Sequence, residues 1–213
     1  MRILVVLLLV GLASVPARAM SCQFVPLDDG RCGGSCRFVI EASGEIEHGD
    51  LERFVRFLAA ARGRRNLQRI LVIGSPGGSV RAGLLLGFAA RRLNLTMVVG
   101  QVSGGSIRPA ACASACVLAL MGGARRLVPD GSVVAVHRPS TEEESSFFSR
   151  GAPTALTRET ADAVTSLFNR YAAVMGIDPK LVALIMSVPH TSGRILTPAE
   201  LRRYRLVTGA GPL

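Results

Sequence analysis

The sequence predicts an α/β fold with parallel strand pairings, and three observations carry that expectation. Arg69-Ile-Leu-Val-Ile-Gly74 is an unbroken apolar run bounded by turn residues, the pattern of a strand buried on both faces. Strand-like runs alternate with helix-like segments along the chain. The length, 213 residues with about half of them hydrophobic, suits one domain with a substantial core.

Each element follows in order. Residues 21–35 read as an irregular, disulfide-clipped segment. Arg37 to Glu41 reads as a short strand, and Asp50 can cap a helix whose apolar positions Leu51, Phe54, Val55 and Leu58 recur at helical spacing. After the 69–74 strand, Ser75-Pro76-Gly77-Gly78 is a turn. Ser79 to Leu93 is an apolar helix that should bury Leu84, Leu85, Leu86 and Phe88. Leu95 to Val102 is a strand, Gly104 to Pro109 a loop, and Ala110 to Met121 a helix of small residues. Leu127 and Val133 to Val136 suggest two further strands around the Pro129-Asp130-Gly131 turn. Arg138 to Pro153 is polar and reads as a mobile loop. Thr157 to Met175 is helical, Asp178-Pro179 opens another helix, and Thr197-Pro198-Ala199-Glu200 is a capping box for a last one that yields to Leu206-Val207.

The N-terminus has the layout of a secretory signal: Arg2, an apolar Ile3 to Leu12, then Ala17-Arg18-Ala19 as a small-x-small cleavage site. The apolar run falls short of the roughly 20 residues a spanning helix needs. The expected organisation is therefore a signal at 1–19, a cysteine-containing segment at 20–36 and one domain at 37–213. An uncleaved anchor, or lipidation at Cys22, is the alternative. Removing Arg2 and Arg18 lowers the net charge from +10 to +8. With the arginines scattered, two Tyr and no Trp, this is a solvated basic surface and not a nucleic-acid interface.

Export would place all five cysteines where disulfides persist. Cys32 and Cys36, and Cys112 and Cys116, share i, i+4 spacing, about 6 Å between Cα atoms on a helix. That leaves an odd cysteine, Cys22, free or paired between chains. Three scattered histidines supply no zinc ligand cluster, and no cofactor is expected.

The chemistry centres on Ser114. It lies among Ala110, Ala111, Ala113 and Ala115, so little bulk would obstruct an incoming carbonyl. A serine hydroxyl needs a positioned base, and His137 ends the Val133–Val136 run. If a helix starts near Ser114, the Ala115 N–H is unpaired and suits an oxyanion. Gly78, ending a buried strand, offers a second such donor.

Taken in order, Ser75-Pro76-Gly77-Gly78 with Ala82-Gly83, Ala113-Ser114-Ala115, Gly122-Gly123-Ala124-Arg125 and Val134-Ala135-Val136-His137-Arg138-Pro139 resemble the ClpP/crotonase superfamily. Leu196 to Glu200 with Tyr204 to Val207 resembles its closing helix and strand. The likeness is to Clp-protease-like serine peptidases and their exported bacterial relatives, over residues 44–207. It implies a spiral of ββα units, Ser114 as nucleophile, His137 as general base, and oxyanion donation from Gly78 and Ala115. Gly77 and Gly78 would pair with an extended peptide or unfolded protein substrate. A periplasmic location and a homo-oligomer are further implications. The position of the family's orienting aspartate falls at Gly193, which leaves the third member open among Asp178, Asp162, Ser192 and a backbone carbonyl. A missing orienter can cost around 10⁴ in rate without abolishing chemistry. A catalytically silent peptide-binding or scaffold protein and an acyl-CoA-processing crotonase enzyme are the competing functions. The cysteines flanking Ser114 are either small buried hydrophobes or a disulfide that rigidifies the nucleophile.

Overall fold

The computed structural model describes residues 19–28, 35–61, 63–141, 154–155 and 157–209. In chain order the elements are β1 (Ser21–Pro26), β2 (Phe38–Ser43), α1 (Asp50–Ala60), β3 (Leu67–Gly74), α2 (Val80–Arg92), β4 (Thr96–Val99), β5 (Gln101–Ser103), β6 (Ser106–Arg108) and β7 (Ala111–Ala113). Then follow α3 (Ala115–Met121), β8 (Arg125–Leu127), β9 (Val133–Val136), β10 (Ser140–Thr141), β11 (Thr154–Ala155), α4 (Arg158–Met175), α5 (Lys180–Ser187), β12 (Arg194–Ile195) and α6 (Pro198–Arg203).

Five strands form the main sheet in the order β1-β2-β3-β4-β8, parallel throughout except for β1 on the edge. Strand period 2 explains the continuous apolar runs. Ile40, Leu71, Ile73, Met97 and Val99 face the helices, while Val39, Val72 and Val98 form a second cluster on the opposite face. That second face is covered by the β5–β6 hairpin through Val102 and Ile107. Buried Glu41 ties it down, accepting 2.6 Å hydrogen bonds from the Val102 N–H and from Gln23 Nε2. A smaller sheet, β12-β9-β7, joins the first through a parallel bridge between Ser75 and Cys112.

Helices α2 and α3 cross with their backbones almost touching. A Cβ on Gly83 would stand 2.5 Å from the Ala115 carbonyl oxygen, and one on Gly122 would stand 2.0 Å from that of Gly87. Only glycine permits this approach. Tyr171 of α4 locks the crossing, its hydroxyl donating to the Leu118 carbonyl at 2.7 Å, and burial pushes its phenol pKa well up. Two arginines collect the helix ends nearby. Arg126 donates to the carbonyls of Gly123 and Arg205, and Arg91 to that of Met175 at 3.0 Å. Cations there oppose the negative ends of helix dipoles. Burial, then the neighbouring Arg91, lowers the Arg126 pKa to about 10.

Several elements differ from the sequence expectation. Residues 21–26 are not irregular: Cys22 and Phe24 turn inward as β1 pairs with β2. The 104–109 loop is the turn and second strand of a hairpin, in which Gly104 and Gly105 take φ of 56° and 69°. Such a two-residue turn needs positive φ at both positions. The expected 110–121 helix starts only at Ala115, because residues 111–113 pair with β9 instead. Asp50 opens α1 but does not cap it; its carboxylate accepts the Glu47 N–H at 2.6 Å and pairs with Arg53, and Gly49 is the cap. Phe88 is 42% exposed, stacked edge-on against Tyr171. Leu206-Val207 is not a strand, although Leu206 is fully buried. Most of the expected 138–153 loop lies outside the described residues, but Ser140–Thr141 within it pairs as β10 with Thr154–Ala155 just beyond it, β11.

The capping box at Thr197 and Glu200 forms as expected, with both reciprocal bonds present. The Thr197 N–H, then its hydroxyl and Arg194, hold the Glu200 carboxyl below its ordinary value. A lowered folded pKa contributes stability above the unfolded value and loses it as pH falls through the folded one. The melting difference between the native chain and Glu200→Gln should therefore shrink as pH falls below the ordinary carboxylate value. A difference independent of pH would contradict this.

Candidate active site

Ser114 is the single residue between β7 and α3, with φ 53° and ψ −122°. Positive φ is costly for a residue with a side chain, and a sharp strand-to-helix turn lifts the side chain out of both elements. Its surroundings hold it there. The Ser114 N–H donates to Ala135 at 3.0 Å, the Ala113 N–H to Ser75 at 3.0 Å, and the Ser114 carbonyl accepts from Val117 at 2.9 Å. Gly77 presses against the turn from the other side: a Cβ on it would stand 2.7 Å from Ser114 Cβ.

Gly78 takes φ 124° beside Ile46. The bridge bonds run from Ile46 N–H to the Gly77 carbonyl and from Ser79 N–H to the Ile46 carbonyl. The Gly78 N–H therefore points away from that strand, and among the described residues it donates to nothing. The same holds for the Ala115 N–H, first in α3. Two free backbone donors thus flank the serine turn.

His137 follows β9, half-buried, and lines one cleft with Ser114 and Ala115. Val80, Leu118 and Phe168 supply its apolar walls. The Nδ1 atom lies 2.9 Å from the Arg138 carbonyl oxygen. A carbonyl only accepts, so Nδ1 carries the hydrogen, and in the neutral ring the lone pair is the one on Nε2. Arg138 is fixed in turn by its own N–H to the Val188 carbonyl at 2.9 Å.

No carboxylate among the described residues bonds to this ring. Asp178 accepts the Lys180 N–H at 2.8 Å at the start of α5. Ser192 is exposed and donates to the Pro189 carbonyl, and Asp162 is exposed on α4. Continuing the β12–β9 register by one residue sets Gly193 opposite His137, where a Cβ would meet nothing within 4 Å. Of the four orienters left open by the sequence, the backbone carbonyl is the one in contact. The sequence could not single out Arg138, because every residue carries such an oxygen.

Cys112 and Cys116 are joined, with Cα atoms 5.3 Å apart. Cys36 is also disulfide-bonded, while Cys32 lies outside the described residues. Cys22 is free, and burial, with Asp50 nearby, pushes its thiol up to about 11. Among the described residues no three His, Cys, Asp or Glu side chains converge, and no helix is long and apolar enough to cross a membrane.

This architecture, mixed α/β with parallel strands, is the ClpP-like fold. Two solved forms of the 1510-N membrane-bound stomatin-specific protease match it with a TM-score of 0.55 each. One is a serine-to-alanine mutant, 15% identical, covering 78% of this chain and 75% of its own. The other is a lysine-to-alanine mutant in complex with a substrate peptide, 17% identical, covering 78% and 71%. No family model and no curated protein sequence matches the chain.

Proposed function

We propose that this chain is a serine peptidase that hydrolyses extended peptides or unfolded polypeptide through a Ser114–His137 acyl-enzyme. The observation that carries the proposal is the strained Ser114 turn, set in one cleft with His137 and beside two unengaged amides. In this scheme His137 Nε2 takes the Ser114 proton as Oγ attacks the substrate carbonyl. The Gly78 and Ala115 N–H groups receive the oxyanion, and the imidazolium returns its proton to the leaving amine. The Arg138 carbonyl orients the ring in place of a carboxylate, a weaker partner for an imidazolium.

A lysine base is the second mechanism to weigh, since a lysine is altered in one of the similar proteases. Lys180, the one lysine in the sequence, is exposed at the start of α5 and does not line the cleft. Histidine is therefore the better-supported base. Signal cleavage, a periplasmic location and homo-oligomeric assembly complete the proposal, resting on the leader-like N-terminus and the resemblance.

A fluorophosphonate probe tests the central claim. Labelling should fall on Ser114, identified by mass spectrometry, and vanish in Ser114→Ala. A folded protein that takes up no probe would instead favour a silent peptide-binding module, the reading that the open Gly193 position invites.

A further inference from the structure

The Cys112–Cys116 bond closes a loop containing only Ala113, Ser114 and Ala115. Those residues are the proposed nucleophile, the proposed oxyanion donor and one small spacer. A cross-link between near neighbours restricts the unfolded chain far less than one closing a long loop, so its effect is mainly local. It lies across the one residue of this turn with positive φ, and it ties the last β7 pairings to the first turn of α3. Strained backbone persists only where its surroundings over-determine it. The Ser114 and Ala113 hydrogen bonds anchor the strand side, and the disulfide fixes where the helix departs.

Both cysteines are fully buried. Once the protein is folded, an external thiol has no path to the bond, so a reversible switch in the native state is ruled out by access. Closure has to accompany folding.

We propose that this disulfide is a positioning device for the catalytic turn and that its oxidative closure is the maturation step of the site. The proposal rests on Ser114 being the nucleophile. One cysteine thiolate attacks a disulfide-bearing oxidant to give a mixed disulfide, and the second thiolate displaces the oxidant's thiol. Two electrons pass to the oxidant, both cysteine protons are released, and the oxidant departs as thiols. A chain folded in a reducing compartment keeps its fold but holds Ser114 Oγ and the Ala115 N–H out of catalytic register. Competence then requires that folding itself take place in an oxidising compartment, while both cysteines are still accessible to the oxidant.

The experiment refolds the native chain and Cys112→Ala/Cys116→Ala in parallel, the native chain in glutathione buffers from reducing to oxidising. Four quantities are followed: cooperative melting, cysteine alkylation, fluorophosphonate labelling, and amide exchange of the 110–118 peptide. The reduced chain and the double variant should melt cooperatively yet label roughly 10²-fold more slowly, the cost of a misplaced reacting group. Exchange in the 110–118 peptide should rise roughly tenfold while that of β3 stays unchanged. Labelling of the native chain should track closure of Cys112 and Cys116, and Cys36→Ala should label at the native rate.

Equal labelling and equal exchange in the double variant overturn the proposal. Loss of the cooperative melt in both forms also overturns it, because the bond then serves the fold and not the site. If even the oxidised native chain does not label, the peptidase reading fails, and the exchange comparison alone decides whether the disulfide holds the turn.

Discussion

His137→Ala is expected to lower both fluorophosphonate labelling and hydrolysis of unfolded casein by roughly 10⁴-fold, the upper range for a lost general base. The hydroxyl of Ser114 is a weak nucleophile while it keeps its proton. The Arg138 carbonyl occupies Nδ1, which leaves Nε2 as the atom free to take that proton. His137 is half-buried at the rim of the cleft, so the melting temperature should barely change. Adding Ser114→Ala to His137→Ala should reduce the rate no further than Ser114→Ala alone, since the two act as one unit. Lys180→Ala should leave both rates where they are. If Lys180→Ala abolished labelling and His137→Ala did not, the base would be the lysine and the proposed mechanism would fall.

Gly122→Ala is expected to cost about 3 kcal/mol of stability, at the upper end for overpacking. At φ −70° the backbone tolerates alanine, so the effect is purely steric. The new methyl would stand 2.0 Å from the Gly87 carbonyl oxygen and 2.3 Å from Gly87 Cα. Both are backbone atoms of a helix, so nothing short of moving α2 and α3 apart relieves the clash. The melting temperature should drop by roughly 6–12 °C for a chain of this size. Since α3 begins at Ala115, labelling below the melt should slow as well. An unchanged melt would show that the two helices do not meet at these glycines.

The elements read correctly from sequence were those with strong local signals. The apolar 69–74 run, the Thr197 capping box and the Ser79 and Thr157 helix starts needed no tertiary partner to be visible. The failures share a cause. Residues 111–113 have small side chains suited to a helix, but β9 offers their backbone a parallel ladder, and that pairing wins. Residues 21–26 needed β2 as a partner before their alternation acquired meaning. Phe88 sits in a helix buried on one side, and its exposure was decided by where α4 packs.

For the site, the residue types and their order pointed to Ser114, His137, Gly77, Gly78 and Ala115 before any coordinates. Chain order cannot show that Gly77 touches Ser114, or that the Gly78 N–H turns away from its neighbouring strand. Those facts depend on a bridge between Ser75 and Cys112 and another between Ile46 and Gly78, each joining segments more than 30 residues apart. The orienting group is the clearest case. The sequence shows that Gly193 carries no carboxylate, whereas only the fold shows a backbone oxygen against the ring.

By itself, then, the sequence determined the α/β class and the cysteine spacing around Ser114, and it singled out Ser114 and His137 as candidates. Periodicity, turn chemistry and side-chain type are local properties. The tertiary structure decided the strain at Ser114, the free amides beside it, the pairing of Cys112 with Cys116 and the backbone carbonyl set against the His137 ring. Each of those is set by which backbone groups find partners across the sheets, and hydrogen bonds between distant segments leave no mark in a local pattern.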